Sequence, residues 1–393
     1  MKKRVLILST SAGSGHKTAA TALEKAFRQS AQVEEVVNKD ALEYTNQGFK
    51  ALYSDLFAEL VKKNPIFLGW WYEESDQPWR TDDMRLLIDR LNAEPLIKFI
   101  KEFRPDITVC THFMPAGIIA RLMTKGDLHT TLSIVTTDFD FHSMWLSRVF
   151  NRYFVAIDET KAHLETLGMP KERITVSGIP VDPLFSEPVD KQKILDKYQL
   201  QADKPIIIVS AGSAGDNRLK YIVQRVMQLH TDTQTIIVCG NNRQLRSDIE
   251  VLVMEQAAKF RVLGYTSDMA SLMKIATLFV GKPGGLTISE AMAASLPVVI
   301  VWPIPGQEER NSDHLLERGA AIRCNDITVV THKLDKLLND PQRLKQMREN
   351  AHSLGRPDAA QKIVETLLSE KFITPVYLSK TDQERMVEAV KFE

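Results

Sequence analysis

The chain is poor in cysteine and has no excess of either charge. Its 393 residues include three cysteines, Cys110, Cys239 and Cys324, which lie far apart and form no CxxC pair. This spacing argues against a disulfide framework and against a cysteine zinc site. The 50 basic residues balance the 50 acidic ones, and this balance gives no sign of a nucleic-acid-binding protein. We therefore expect a protein of the reducing cytoplasm without a nucleic-acid partner.

Long apolar segments are also lacking. The apolar run that follows the basic N-terminus ends at Ser9, and no stretch of 18 consecutive apolar residues occurs anywhere in the sequence. A signal peptide and a transmembrane helix both need longer apolar runs. The sequence therefore predicts a protein that is neither secreted nor membrane-spanning.

Short β-branched runs are abundant, and helical patterns separate them. Because a βαβ chain produces this alternation, the runs predict parallel sheets covered by helices on both faces. The ten predicted strands are Val5–Leu8, Ile107–Cys110, Leu132–Thr136, Tyr153–Ile157, Ile174–Val176, Ile206–Val209, Ile236–Cys239, Arg261–Leu263, Leu278–Val280 and Val298–Val301.

The alternation stops between Gly178 and Pro188, where three prolines fall close together. Such a break is typical of a domain linker. After it, Ile206–Val209 leads into the glycine-rich stretch Ser210–Gly215, much as Val5–Leu8 leads into Ser11–Gly15. The sequence therefore predicts an α/β protein with two doubly wound Rossmann-like domains, at residues 1–185 and 200–370.

The first glycine turn, Gly13–Thr18, matches neither common nucleotide fingerprint. Thr18 occupies the third glycine position of the dinucleotide motif, and His16 stands where a P-loop has glycine. Backbone N–H groups in such a turn can still bind an anion at the helix N-terminus. The near-neutral imidazole of His16 is typical of a general base for an alcohol. A plain strand-to-helix turn that binds nothing is the alternative.

Two further loops follow predicted strands in the second half. Gly281–Glu290 contains Gly284 and Gly285 before a helix, and Glu290 is placed one turn later, where a carboxylate can accept hydrogen bonds from ribose hydroxyls. A solvated or capping Glu290 is the alternative. The loop Pro305–Asn311 offers amide and carboxylate groups suited to a polyol.

Five stretches together carry a family resemblance: Ser11–His16, Thr136–Trp145, Gly178–Val181, Gly281–Glu290 and Pro305–Asn311. In this order they resemble the monogalactosyldiacylglycerol synthase and processive diacylglycerol glucosyltransferase family, over residues 1 to about 370. The chain is also similar, more distantly, to the N-acetylglucosaminyl transferase of peptidoglycan synthesis.

The resemblance implies a GT-B fold, in which an acceptor domain and a UDP-sugar domain face each other across a cleft. It implies a C-terminal helix, at about residues 375–393, that returns to the first domain, and an inverting reaction that needs no bound metal or other cofactor. His16 would be the catalytic base, and acceptor contacts would come from Gly15, Asp138, His142 and Trp145. The donor contacts would be Gly212 and Ser213 at the diphosphate, Tyr265 and Thr266 at the uracil, Gly284 and Gly285 in the second turn, Glu290 at the ribose, and Gln307, Glu308 and Asn311 at the sugar.

The residues themselves also argue against a metal. The second half has no Asp-x-Asp near its glycine turns, and the pair Asp138 and Asp140 lies in the first half. Because leaving-group charge can be stabilised either by a cation or by preorganised amides and helix dipoles, we expect the Gly212–Gly215 and Gly284–Gly285 turns to supply this stabilisation.

An aromatic-rich segment indicates a lipid surface. Residues Phe49 to Trp79 hold eight of the 29 aromatic residues of the chain, including Trp70 and Trp71, next to Lys62 and Lys63. Tryptophan and tyrosine favour the headgroup level of a membrane, and lysine favours anionic lipid. We expect peripheral attachment to the inner face of the cell membrane, with Trp70 and Trp71 as candidate contacts to the lipid acceptor. Aromatic packing in the protein core is the alternative.

The leading hypothesis is an inverting transfer of a hexose from UDP-glucose or UDP-galactose to diacylglycerol, with glucose favoured and processivity left open. A UDP-sugar 2-epimerase of the same fold, an N-acetylglucosaminyl transferase for a lipid-linked acceptor, and a non-catalytic nucleotide-sugar sensor are the alternatives.

Overall fold

The computed structural model describes residues 2–11, 13–45, 65–80, 94–210, 212–213, 215–370 and 373–390, without the side chains of residues 65–68 and 71. The chain divides into two compact units. The first comprises Met1–Pro183, Pro305–Gln307 and Asp358–Glu393, and the second comprises Leu184–Ile304 and Glu308–Pro357. Apart from the short stretch Pro305–Gln307, the chain rejoins the first unit at Asp358, earlier than the position near residue 375 that the sequence suggested.

A parallel sheet of six strands lies at the centre of the first unit. The strands of this part of the chain are β1 (Lys3–Ser9), β2 (Val33–Asp40), β3 (Ile107–Cys110), β4 (Thr131–Val135), β5 (Val149–Phe150), β6 (Arg152–Val155) and β7 (Ile174–Val176). The sheet order is β2-β1-β3-β4-β6-β7. Leu8 pairs with Cys110, and Cys110 pairs with Ile134, so β1, β3 and β4 end side by side.

Helices cover both faces of this sheet. The described helices up to the linker are α1 (Ser14–Arg28), α2 (Pro65–Ser75), α3 (Glu94–Phe103), α4 (Phe113–Thr124) and α5 (Asp158–Thr166). Since side chains alternate along a strand, Leu6 and Leu8 pack into one apolar cluster while Val5 and Ile7 pack into the other. This two-sided burial explains the unbroken apolar sequence of β1.

The second unit repeats the arrangement. Its strands are β8 (Ile206–Ser210), β9 (Gln234–Val238), β10 (Phe260–Leu263), β11 (Leu278–Gly281), β12 (Val298–Val301) and β13 (Ala321–Cys324). They form a parallel sheet in the order β10-β9-β8-β11-β12-β13. The helices that follow the linker are α6 (Lys191–Tyr198), α7 (Leu219–Val226), α8 (Arg243–Leu252), α9 (Met269–Ile275), α10 (Gly285–Ala293), α11 (Gln307–Glu317), α12 (Val330–Leu338) and α13 (Pro341–Leu354).

The C-terminal part of the chain packs on the first unit. It contains α14 (Ala359–Ser369), β14 (Val376–Tyr377) and α15 (Lys380–Ala389), and β14 pairs with β5 in antiparallel fashion. Ile363 and Val364 of α14 join the apolar cluster that contains Leu23 and Phe27 of α1. Met386 of α15 lies in the cluster on the other face of the sheet.

All ten strands expected from the sequence are confirmed, with ends shifted by at most two residues. The sequence missed four of the described strands: the two-residue strands β5 and β14, and β2 and β13, which are edge strands of their sheets and are only partly buried. Because an edge strand needs fewer apolar residues, its apolar signal is weaker. No helix within the described ranges is long and apolar enough to cross a membrane.

Candidate active site

His16 lies near the carboxyl ends of the strands of the first sheet. Helix α1 begins after Gly13, whose φ of 101° is a conformation that favours glycine, and no side chain caps this N-terminus. Gly15 and His16 are therefore in the first turn of α1. The carbonyl of Thr111 follows β3, and the hydroxyl of Thr137 follows β4, so three neighbouring strand ends meet around the imidazole.

The hydrogen bonds of His16 indicate its tautomer. Nδ1 lies 3.0 Å from the carbonyl oxygen of Thr111 and 2.8 Å from Oγ1 of Thr137. A carbonyl oxygen can only accept, so Nδ1 carries the proton and donates. Nε2 then keeps its lone pair, and it makes no hydrogen bond within the described part of the chain. The geometry leaves this nitrogen able to accept a proton.

Burial lowers the pKa of His16 to about 4, although the hydrogen bond to Thr111 acts in the opposite direction. Rings of His112 and Trp145 surround the imidazole, with centroids at 4.7 and 6.1 Å. Desolvation of this kind disfavours the imidazolium. His16 is thus neutral at physiological pH.

The acceptor residues expected in the loop after β4 are buried. Trp145 and Asp138 are both almost inaccessible to solvent. The side-chain amide of Gln307 donates to Asp138 at 2.8 Å, and both residues are counted in the first unit. The structure therefore brings a residue expected at the sugar next to one expected at the acceptor. Their ligand contacts remain predictions.

Both ring nitrogens of His142 make hydrogen bonds with backbone groups. Its Nδ1 accepts from the backbone N–H of Met144, and its Nε2 donates to the carbonyl oxygen of Tyr72 at 2.9 Å. Both ring nitrogens are therefore engaged by backbone groups of a loop and of helix α2, and the ring is buried. His142 thus links α2 to this loop, and its contact with an acceptor stays a prediction.

Much of the aromatic segment expected at the membrane, including Phe49 and Lys62, lies outside the described residues. Trp70 and Trp71 are both in α2, and the side chain of Trp70 is 55% exposed. The side chain of Trp71 is outside the described part. Trp70 is thus presented on the surface, as attachment to a lipid headgroup layer requires.

In the second unit, the turn after β8 is held by the loop after β9. The carbonyl oxygen of Ser213 accepts from the N–H of Asn241 at 2.9 Å, and that of Gly215 accepts from the side-chain amide of Asn242 at 3.0 Å. A Cβ on Gly240 would lie within 2.5 Å of the carbonyl oxygens of Gly212 and Ser213. Only glycine permits this close approach, and it fixes the shape of the turn.

The second glycine turn opens helix α10 without a capping side chain. The first amides of a helix lack intrahelical partners, so Gly285 and the residues after it offer N–H groups to an anion. A Cβ on Gly284 would lie 3.6 Å from Oε1 of Glu308, which places these two predicted donor residues together. Glu290 is half-buried one turn into α10, as the sequence placed it.

Two other expected donor residues differ in accessibility. Tyr265 follows β10 and is 70% exposed, so its ring is open for stacking. The hydroxyl of Thr266 accepts from the N–H of Asp268, and this contact orders the same loop. Asn311, expected at the sugar, is fully buried in α11. Its side chain is not presented to solvent in this structure.

The sequence missed an ionic cluster beside the glycine turns. Asp216 lies between Arg218 and Lys282, with Oδ2 at 2.8 Å from Nη2 of the arginine and 2.7 Å from Nζ of the lysine. Thr111 and Thr137 were also missed. All of these residues follow predicted strands, and the rule that ligands bind beyond the carboxyl ends of parallel strands would have drawn attention to them.

Within the described ranges, no three histidine, cysteine, aspartate or glutamate side chains converge as metal ligands. Cys110, Cys239 and Cys324 are buried, and burial raises the pKa of the Cys239 thiol to about 11. Such a thiol is a poor nucleophile and a poor metal ligand. The expectation that no metal is needed stays a prediction.

Comparison with known proteins agrees with this architecture. Residues 16–181 match the family described as monogalactosyldiacylglycerol (MGDG) synthase, and residues 190–354 match the family described as glycosyl transferases group 1. MurG from Acinetobacter baumannii is similar at a TM-score of 0.60 and 20% identity, over 94% of this chain and 100% of that chain. The MnaA–UDP structure from S. aureus is similar at a TM-score of 0.61 and 16% identity, over 93% and 96%. The fold is therefore of the GT-B type, and the protein is a glycosyltransferase.

A curated relative narrows this class. The processive diacylglycerol beta-glucosyltransferase of Bacillus cereus (strain AH187) is 30% identical over 383 residues, which cover 95% of this chain and 96% of the relative. The chain thus belongs to the monogalactosyldiacylglycerol synthase and processive diacylglycerol glucosyltransferase family, and the resemblance expected from the sequence is confirmed.

Proposed function

We propose that the protein transfers a hexose from a UDP-sugar to the hydroxyl group of diacylglycerol with inversion at the anomeric carbon. The name of the Bacillus cereus relative supports diacylglycerol as the acceptor and glucose as the sugar. The observation that carries the proposal is the neutral His16, whose Nε2 has a lone pair beyond the strand ends of the first unit.

His16 acts as the general base. Its Nε2 takes the proton from the acceptor hydroxyl while the oxygen of that hydroxyl attacks the anomeric carbon. The bond from this carbon to the diphosphate oxygen breaks, and UDP leaves with the bonding electrons. General-base assistance of this kind contributes about 10² to 10⁴ in rate. Thr111 and Thr137 keep the proton on Nδ1, so Nε2 stays ready to accept.

The second unit binds the donor. The uncapped amides at the start of α10 stabilise the charge that develops on the diphosphate. Glu290 holds the ribose hydroxyls, Tyr265 stacks on the uracil, and Glu308 contacts the sugar beside Gly284. Because amides and helix dipoles carry this stabilisation, we expect turnover to continue in the presence of a metal chelator.

The acceptor is a membrane lipid, so the protein works at a lipid surface. We propose peripheral attachment at the inner face of the cell membrane, with Trp70 at the headgroup level. An exposed tryptophan on α2 is suited to this depth because its ring is amphipathic.

The test is incubation of the purified protein with UDP-glucose, UDP-galactose or UDP-N-acetylglucosamine and vesicles that contain diacylglycerol, followed by mass analysis of the lipid. We expect diacylglycerol to gain one hexose or more from UDP-glucose. His16→Ala should abolish most product, and His129→Ala, which changes an exposed histidine before β4, should not.

Two outcomes would contradict the proposal. Release of an epimerised sugar nucleotide without acceptor would indicate the 2-epimerase alternative. UDP-sugar binding without any lipid product would indicate a nucleotide-sugar sensor.

A further inference from the structure

Three loops of the second unit meet at the carboxyl ends of neighbouring strands. Asp216 follows β8, Lys282 follows β11, and Trp302 follows β12. These strands are neighbours in the sheet, since Val209 pairs with Val280 and Gly281 pairs with Ile300. The loops that carry the two glycine turns are therefore adjacent, and charged side chains connect them.

Asp216 is the centre of these connections. Its carboxylate accepts from Nε, Nη2 and the backbone N–H of Arg218, at distances of 2.8 to 3.2 Å. Oδ2 also lies 2.7 Å from Nζ of Lys282, and the two side chains are only 22% and 24% exposed. The guanidinium of Arg218 in turn lies 5.0 Å from the centre of the Trp302 ring, close enough for a cation–π interaction.

The electrostatics of Asp216 agree with a fixed ion cluster. Burial acts to raise the pKa of this carboxyl, but the hydrogen bonds from Arg218 and Lys282 outweigh burial and hold the pKa far below its usual range. Asp216 is therefore charged at any physiological pH. With one carboxylate and two cations, the cluster of Asp216, Arg218 and Lys282 has an excess of positive charge.

Lys282 has hydrogen-bonding capacity left for a ligand. An ammonium group has three donors, and within the described residues its only charged partner is Asp216. The lysine follows β11 directly and precedes Gly284, so its ammonium is held between the turn after β8 and the start of α10. Because Asp216 already restricts this flexible side chain, Lys282 loses less conformational entropy when it binds an anion.

We propose that Asp216 is a positioning residue that holds Lys282 between the two glycine turns, where its ammonium contacts the diphosphate of the donor. This inference rests on the proposed donor role of the second unit. It adds a side-chain cation to the backbone amides, and it assigns the carboxylate that keeps this cation in place.

The experiment measures binding of UDP and of uridine by isothermal titration calorimetry. Uridine lacks the diphosphate, so a defect in phosphate positioning weakens binding of UDP alone. We expect Lys282→Ala and Asp216→Asn each to lower UDP affinity about tenfold or more, as loss of a charge-assisted hydrogen bond does, with uridine affinity unchanged. Lys282→Arg should restore part of the affinity. Asp216→Asn should cause little further loss in a Lys282→Ala background.

Asp232 offers a matched control at the amino ends of the strands of the same sheet. It also pairs with two lysines, Lys204 at 2.8 Å and Lys259 at 3.2 Å, but all three precede their strands. Asp232→Asn should leave both affinities as they are in the unmodified protein.

Three results would overturn the inference. Unchanged UDP affinity in both variants would remove Lys282 from the diphosphate, and an increase in Asp216→Asn would make Asp216 a competing anion. An equal loss for uridine and UDP would indicate a structural role only. In each case the unmodified protein still binds UDP, so the proposed function survives. A failure of the unmodified protein to bind UDP would overturn both.

Discussion

The pH dependence of turnover tests the environment of His16 directly. Burial lowers the pKa of this residue to about 4, against about 6.5 for an exposed histidine. The base must be neutral to accept a proton. Activity is therefore fully present above pH 6.5 and is lost only as the pH falls through the pKa of the folded protein.

The size of the effect follows from the two pKa values. At pH 5, a base with a pKa of 4 is about 90% neutral, whereas an ordinary histidine is about 3% neutral. We therefore expect kcat/KM at pH 5 to be about nine-tenths of its value at pH 8. This ratio is about 30 times higher than an unperturbed histidine would allow.

The assay is the vesicle reaction at subsaturating UDP-sugar between pH 4.5 and 8, because kcat/KM reports the pKa of the free enzyme. UDP binding measured by calorimetry over the same pH range shows whether titration of the donor site contributes to any loss of activity. Titration of the His16 ring protons by NMR, assigned with His16→Gln, gives the pKa independently. An acid limb centred near pH 6.5 that the NMR titration also assigns to His16 would refute the reasoning.

Four further predictions concern the His16 site, the donor site and the packing of the first unit. His16→Ala should lower kcat by about 10² or more with UDP affinity unchanged, and retained kcat would remove it from the base role. Thr137→Val should lower kcat several-fold because Nδ1 of His16 loses a hydrogen-bond partner at 2.8 Å, whereas Thr137→Ser should keep the activity. Equal kcat in the two variants would show that the hydroxyl is dispensable. Glu290→Ala should weaken UDP binding about tenfold or more through loss of hydrogen bonds to a charged group, and an unaltered affinity would contradict its ribose assignment. Ile363→Ala should destabilise the first unit by about 2 to 5 kcal/mol because it opens a cavity in a fully buried cluster. The measurement is urea unfolding, with substitution of the exposed Glu365 by alanine as the control. Equal stability of the two variants would exclude this packing.

The sequence was sufficient for features that depend on neighbours along the chain. The turn that places His16 at the start of α1 and the ten apolar strands are local patterns, since glycine conformation and apolar periodicity are set within a few residues. The second turn, at Gly284, was found for the same reason.

Features that depend on the order of the strands in the sheet could not be predicted from the sequence. Asp216 and Lys282 come together only because β8 and β11 are neighbours in the sheet, and no periodicity encodes that order. The packing of Ile363 in α14 against α1 was likewise not predicted, because the two helices are far apart in the sequence. The resemblance implied an acceptor contact for His142, but no local pattern indicated its hydrogen bond to the carbonyl oxygen of Tyr72, which is distant in sequence.

The anomeric configuration of the glycolipid product, determined by proton NMR, tests the central claim most directly. A base that deprotonates the acceptor hydroxyl for a single direct displacement requires inversion, so we expect a β-linked hexose on diacylglycerol from the α-linked UDP-sugar. An α-linked product would contradict the role assigned to His16.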